Sequence, residues 1–475
     1  MLTTLRLGSR QSVLRAIPRL FRSPHLNTVS RSAQHRYYNQ PNPPAYGSIA
    51  VTQAIAIEEM SKPIPAPELP QPAHVKKESA LGKKFGKEVV NYFGSSPLNR
   101  ISFLREDHEM IAGAFTHPSA KFLAFNNLSP LIDSPTEIHY VTYDDIKSIL
   151  PENPYKKTEK ELLESFDSRV TIPQLIFLGL DESDTKGYTY KNYTGSPHFA
   201  LDVTPKGQYA EAAEKLSQQW LDAGLKFVEG MRAMNFPAEI AAEYAQGRHY
   251  LDWNSRNTYC GTCGHPTLSV NAGAKRICPP VDKAESPPER QPCSTRTTLS
   301  NLTFPRTDPT IIVAVLSHDS KRLLLGRQKR WPPYWFSTLA GFIEPAESVE
   351  DAVRREVWEE SGVVLSRVLI HSTQPWPYPA NLMIGAIAQV ASPEDEVIKL
   401  DNDPELETAK WFELEEIREA LQNGVSSLGE GAPDGYKEGN LRLPPRTAIA
   451  NQLITAVVEG GFLEGVTPLA TASKM

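Results

Sequence analysis

Two groups of side chains have the types and spacing to do chemistry. The first is acidic. In the stretch 341–363, GFIEPAESVEDAVRREVWEESGV, Glu356 and Glu360 stand four residues apart, with Glu359 beside them. On a helix, positions i and i+4 share a face, so these two carboxylates would lie one turn apart. The same face carries Val349 and Val353, so an apolar stripe turns acidic partway along. Carboxylates on a core-facing stripe are costly unless something neutralises them. A hard divalent cation does so, and carboxylate oxygens are its preferred ligands. Arg355 can pair with one carboxylate and set its orientation. Taken alone, the stretch could also be a solvated acidic helix laced with local Arg–Glu pairs.

The second group is Cys260, Cys263, Cys278 and Cys293, the four cysteines of the 475-residue chain. Their clustering favours a metal site in a reducing compartment over a disulfide framework. Cys260-x2-Cys263 has zinc-knuckle spacing. Cys278 and Cys293 are separated by PPVDKAESPPERQP, which must loop out if all four thiolates are to meet; otherwise the metal site is lost. His265 is a possible substitute ligand.

The elements that would position these groups are legible in outline. Ser348 can cap the acidic helix, with Asp351 completing a capping box, and Gly362 lies where a terminating glycine belongs. Ile311–Leu316 reads as a strand, His318-Asp319-Ser320-Lys321 as a turn, and Arg322–Gln328 as a second strand. Further upstream, Leu175–Leu180 and Phe199–Val203 have strand length, and Ala210–Leu225 and Ala238–Trp253 have helical periodicity. No catalytic constellation stands out in that earlier region.

Net charge of -6 and a pI of about 6.1 give no global basic character that would call for nucleic acid. No apolar run reaches the length of a membrane-spanning helix. Residues 1–57 lack Asp and Glu, and Arg6, Arg10, Arg15, Arg19, Arg22, Arg31 and Arg36 punctuate the first forty. This composition reads as a mitochondrial transit peptide, or else a basic tail. Residues 40–75 are Pro-rich and read as a linker. The expected organisation is a targeting segment and linker over 1–87, a first domain over 88–256, a cysteine-bearing ribbon over 257–308, a second domain over 309–465, and a tail over 466–475. The tail ends in Ser473-Lys474-Met475, which is similar to the Ser-Lys-Leu peroxisomal address.

Gly341, Glu347, Arg355, Glu356, Val357, Glu359, Glu360, Gly362 and Val363 together reproduce the Nudix box. Ten residues beyond it, Gln374-Pro375-Trp376-Pro377-Tyr378-Pro379-Ala380-Asn381 resembles the SQPWPFPxS array of NADH pyrophosphatases among Nudix hydrolases. It departs at Thr373, Tyr378 and Asn381. Read on its residues, this is a stiff proline-rich loop displaying flat rings suited to stacking on a base. TYCGTCGHP, residues 258–266, looks like the zinc-ribbon entry of the same family.

The resemblance implies an α/β/α sandwich with a mixed sheet, preceded by a zinc ribbon and an N-terminal Nudix-like domain without the box. It implies Mg2+ or Mn2+ held by Glu356, Glu360, Glu405 and the carbonyl of Ala340. Glu359 or Glu360 would take the proton from water, and Arg355 would support the catalytic carboxylates. The implied zinc ligands are Cys260, Cys263, Cys278 and Cys293. Phe304, Gln374–Asn381 and Ala450 would shape the nucleotide site. The implied activity is cleavage of NADH or NAD+ into NMN(H) and AMP, by a homodimer. The terminal tripeptide resembles the address of fungal-type peroxisomal relatives, with dual targeting to mitochondria also implied by the N-terminus. Removal of NAD caps from RNA, or hydrolysis of ADP-ribose or dinucleoside polyphosphates, would use the same site. An inactive scaffold with a binding role for the ribbon is the remaining reading, against which the presence of Glu356, Glu359 and Glu360 stands.

Overall fold

The computed structural model describes residues 66–71, 89–150, 152–230 and 235–459. The expected targeting segment of the N-terminus and the terminal tripeptide lie outside these residues.

The second half of the chain is built on β11 (Asp308–Leu316), reached after ten earlier strands among the described residues. The first eight are β1 (Lys121–Asn126), β2 (Ser129–Ser134), β3 (Glu137–Ile138), β4 (Tyr140–Val141), β5 (Leu175–Asp181), β6 (Tyr188–Tyr190), β7 (Tyr193–Asp202) and β8 (Lys226–Phe227). They form one sheet with the path β3-β2-β1-β7-β5. Its centre is the parallel pair β1 and β7, and the other pairings are antiparallel. Alternate residues of the central strands enter different cores. Phe122, Ala124, Phe199 and Leu201 meet helices α1 (His108–Thr116) and α2 (Ala210–Asp222), while Leu123, Phe125 and Ala200 meet α3 (Ala238–Arg256). A sheet buried on both faces has near-continuous apolar strands, which is why LIFLGL at β5 shows no polar alternation. Among the described residues between β4 and β5, the helical elements are the short Tyr143–Ile146, Pro154–Lys156 and Glu159–Glu164.

The ribbon carries the two-stranded sheet of β9 (Leu268–Val270) and β10 (Lys275–Ile277). The second large sheet adds β12 (Arg322–Arg327), β13 (Leu339–Phe342), β14 (Leu365–Trp376), β15 (Asn381–Val390) and β16 (Thr408–Glu413), in the order β14-β15-β11-β12-β16, with β13 on β11. β11 runs parallel to β15 over nine residue pairs from Asp308 to Leu316 and antiparallel to β12 and β13, so the sheet is mixed. Along β11, Ile312, Ala314 and Leu316 face a core that includes α5 (Leu414–Asn423) and α6 (Ile449–Val458). Ile311, Val313 and Val315 face the core beneath Ala352, Val353 and Val357 of α4 (Val349–Ser361). This is the expected α/β/α sandwich with its mixed sheet.

The predicted elements differ from those observed mainly at their ends. α2 stops at Asp222, short of Leu225, because Ala223 and Gly224 turn the chain back. α3 continues past Trp253 to Arg256, which pairs with Asp252 one turn earlier. β11 begins three residues before Ile311 because β15 pairs with it from Asp308 onward.

Candidate active site

Helix α4 presents the acidic group. Ser348 caps it, its hydroxyl oxygen accepting the Asp351 N–H at 3.2 Å. The expected return half of the box is absent: the Asp351 carboxylate accepts the Ser348 hydroxyl at 2.9 Å, not the Ser348 backbone N–H. The hydroxyl lies between the two groups and engages the carboxylate itself. Gly362 ends the helix at φ 71°, and its N–H reaches the Trp358 carbonyl at 2.8 Å. Such left-handed backbone favours glycine. Val353 and Val357 are fully buried. At roughly 1.5–3 kcal/mol each, their burial holds the helix down while the same face carries Glu360 inward.

Arg355 organises the other carboxylates. Its Nε and Nη2 donate to the two oxygens of Glu347 at 2.6 and 2.8 Å. Its Nη1 donates to Glu356 and Glu359, both at 2.9 Å, and Nη2 also reaches the Phe342 carbonyl at 2.9 Å. The Arg355 bonds, followed by the Glu344 N–H, hold the Glu347 carboxyl down at about 2. The sequence suggested one pairing for Arg355; the guanidinium fork serves three acids.

Glu360 is the exception. It is 3 % exposed, and its Oε2 is buried without a hydrogen-bond partner. Burial first, then the charges of Glu405, Glu356, Asp403 and Glu359, push its carboxyl up to about 9. Burial also raises Glu356, against the pull of Arg355. Glu405, from the loop before β16, is tethered by Gln328 Nε2 at 2.6 Å, and Arg330 Nε in turn donates to Gln328 Oε1 at 2.8 Å. A buried carboxylate oxygen with no donor, amid further carboxylates, is the donor set of a hard divalent cation. The residues therefore fit the metal that the box implies.

β13 supplies the floor. Gly341 pairs with Ile311 and Ala340 with Ile312. A Cβ at Gly341 would stand 2.0 Å from Glu356 Cδ, so the glycine is what admits this carboxylate to the strand. Along the outer face of α4 runs an open depression of about 360 Å³, bordered by Arg355, Trp358 and Glu359.

The Gln374 array occupies the end of β14, a turn, and the start of β15. The expectation of freely displayed rings is not met. Gln374 is wholly buried: its amide donates to the carbonyls of Tyr92 and Thr447 and accepts the Ile449 N–H, each at 2.9 Å. Trp376 and Tyr378 are half-buried and meet Phe93 edge-on at centroid separations of 6.1 and 6.2 Å. Complementary rings from the first domain have drawn them in. Pro375 is half-buried, Pro377 and Ala380 are buried, and Pro379 is exposed. Asn381 donates to Thr310 Oγ1 at 3.1 Å. By strand spacing, Asn381 lies roughly 14 Å from Gly341, two strands across and three residues along. Ala450, whose backbone is the group expected to meet the nucleotide, packs its side chain into the α6 core, and Phe304 is 60 % exposed on the loop before β11.

The four cysteines converge. Their Sγ atoms all lie within 4.8 Å of one another, with Cys260–Cys293 at 3.7 Å and Cys263–Cys278 at 3.5 Å. A tetrahedral ion bonded at about 2.3 Å requires sulfurs about 3.8 Å apart. The fourteen-residue insert does loop out. It is folded, with Asp282 N–H on the Pro288 carbonyl and Arg290 N–H on the Pro280 carbonyl, both 2.8 Å. The Arg290 and Asp282 side chains form a fully buried pair. His265, weighed as a substitute ligand, instead turns its ring to Glu285 at 3.2 Å.

Asp403, Gln328 and Arg330 had no place in the sequence-based site. The acidic run Asp401-Asn402-Asp403-Pro404-Glu405 was the available signal for the first; nothing local marks the other two. Glu347, a box residue whose sequence position implies no role, is the carboxylate that holds Arg355 through two bonds.

Comparison with known proteins follows the same division. A family model described as a NUDIX domain matches residues 306–430, and one described as an NADH pyrophosphatase-like rudimentary NUDIX domain matches residues 119–253. A Schizosaccharomyces pombe protein named NAD-capped RNA hydrolase is 33% identical over 370 residues, 77% of this chain and 92% of its own length. The human NAD-capped RNA hydrolase NUDT12 is 34% identical over 78% of this chain and 73% of its own. The human mitochondrial NAD(P)H pyrophosphatase NUDT13 is 28% identical over 75% and 88%. With the intact box on α4 and a relative of this identity matched along nearly its whole length, the chain belongs to the Nudix hydrolases of the NADH pyrophosphatase type and is a pyrophosphohydrolase.

Proposed function

We propose that the chain cleaves the diphosphate of NAD(H), giving NMN(H) and AMP. The observation that carries this is the buried, donor-less Glu360 oxygen among Glu356, Glu405 and Asp403, with the Gln374 array at the same end of the sheet. Glu356, Glu360, Glu405 and the Ala340 carbonyl are the groups that would hold Mg2+ or Mn2+. When bound, such an ion neutralises the diphosphate and acidifies water. The chain's own part is to orient and to accept a proton. Arg355 fixes Glu356 and Glu359. Glu359, with a side chain 37 % exposed and held by Arg355, is the carboxylate assigned to take the proton from water. Water oxygen bonds to one phosphorus, the bridging P–O bond breaks, and the departing phosphate keeps the bridging oxygen. The half-buried Trp376 and Tyr378 supply flat surface for the nicotinamide side, and the four cysteines are a structural zinc centre.

NAD-capped RNA is a second reading, favoured by the names of the S. pombe and human relatives. It requires cleavage of the same bond in NAD whose adenosine is joined to RNA. Incubation with Mg2+ or Mn2+ and equal NADH, NAD+, ADP-ribose and NAD-capped RNA, with Glu360→Gln as control, tests both. Fastest release of NMNH and AMP from NADH, abolished in the variant, is the expected result. Faster decapping selects the second reading, and preference for ADP-ribose removes the array from the substrate site.

A further inference from the structure

We infer that Arg248, on the Nudix-like first domain, is a positioning residue for the nucleotide site of the second. The inference rests on the reading that the Gln374 array binds the nicotinamide side of the substrate. The array contains Pro375, Pro377 and Pro379, so three of its backbone units have no N–H to offer. Carbonyls in such a turn find few local donors, and buried ones need a partner from elsewhere. Arg248 supplies it. One guanidinium nitrogen, Nη1, donates to the carbonyls of both Pro377 and Pro379, the second at 2.9 Å. The guanidinium carbon also lies 5.1 Å from the centre of the Tyr378 ring. One turn earlier on the same helix face, the Tyr244 hydroxyl donates to the Tyr378 hydroxyl at 3.3 Å. Tyr378 passes its own proton to the Gly230 carbonyl at 2.9 Å. The turn is thereby held at two carbonyls, one ring face and one hydroxyl, all from the domain that lacks the box. Neighbouring Trp376 is edge-on to Tyr378 at 5.6 Å, so the Tyr378 orientation sets that of Trp376.

This gives the first domain a task in substrate selection. Arg248 touches no reacting atom. Its removal should loosen the array and weaken ground-state binding of NADH while leaving the chemical step on α4 intact, the signature of raised KM at unchanged kcat.

The experiment compares the full-length wild type with Arg248→Met, Arg248→Lys and Trp376→Ala. The readouts are kcat and KM for NADH and for ADP-ribose, which lacks nicotinamide, together with the melting temperature. For Arg248→Met the expected result is a KM for NADH raised about tenfold, with kcat and the ADP-ribose KM within about twofold. Lysine keeps the cation and one donor direction, so Arg248→Lys should fall between. A KM for NADH unchanged in Arg248→Met overturns the inference. Equal losses on both substrates also overturn it, since they mark Arg248 as mere glue between domains. If Trp376→Ala leaves the NADH KM unchanged, the array reading itself is wrong and the inference falls with it. A wild type that cuts ADP-ribose but not NADH has the same consequence.

Discussion

Gly341→Ala separates fold from catalysis at a single atom. The added Cβ would sit 2.0 Å from Glu356 Cδ and 2.2 Å from each carboxylate oxygen. Ordinary contact begins at 3.4 Å, so the carboxylate must retreat by the difference, 3.4 − 2.0, about 1.4 Å. The displaced atoms are the free end of a flexible side chain, so β13 has no need to move. Alanine also restricts the unfolded chain relative to glycine, a gain of about 0.4–1 kcal/mol that offsets residual crowding. Stability should therefore change by less than about 1 kcal/mol. Activity should fall steeply. A misplacement of about 1 Å costs on the order of 100-fold in rate, or about 2.7 kcal/mol in the barrier. Arg355, bonded to Glu356 at 2.9 Å, would be drawn along and loosen Glu359 as well. The assay is NADH hydrolysis at saturating Mn2+ beside a thermal melt. An activity within threefold of wild type would refute the reasoning, because Glu356 would then have room to spare. A melting point lowered by more than about 5 °C would refute it differently, by showing that the strand gave way instead of the side chain.

The raised carboxyl of Glu360 has a definite sign. Its folded value of about 9 lies above the ordinary 4.5, so the metal-free protein holds a proton that the unfolded chain releases between those pH values. Stability without added divalent cation should fall as pH rises through that window, and Glu360→Gln should remove that part of the slope; urea midpoints at pH 6 and 9 with identical slopes in both proteins would contradict this. Arg355→Lys exchanges a fork for a point charge and should lower kcat about 10–100-fold with little change in melting temperature, and near-normal turnover would sink the orienting role. Arg290→Met leaves Asp282 buried without its counter-ion and should cost about 3–5 kcal/mol in urea unfolding; a loss below about 1 kcal/mol would mean the insert is not latched by this pair.

What the sequence revealed was local. The box is a contiguous run whose cap, acidic face and terminating glycine all lie within 23 residues of 341–363, so helix periodicity alone predicts where Glu356 and Glu360 point. The apolar runs of β5 and β11 were likewise legible as strands. The rest depends on contacts distant in the chain. Gln374 bonds Tyr92, 282 positions away, and Arg248 reaches Pro377, 129 positions away. No periodicity encodes such pairs. For the same reason the rings of Trp376 and Tyr378 looked free: Phe93 and Tyr244, which engage them, belong to another domain. Gln328 and Arg330 acquire a role only because β12 and β16 pair and bring Gln328 to Glu405.

The folded insert between Cys278 and Cys293 changes what bringing the four thiols together costs. A slack fourteen-residue span between two ligands would cost about 1.7 kcal/mol more ring-closure entropy than the two-residue spacing of Cys260 and Cys263. Here the bonds Asp282 to Pro288 and Arg290 to Pro280 tie the span shut near its base, and the buried Arg290–Asp282 pair anchors it. The fold's own contacts thus carry part of the entropy loss of ordering the span. The four thiols thereby converge although fourteen residues separate Cys278 from Cys293.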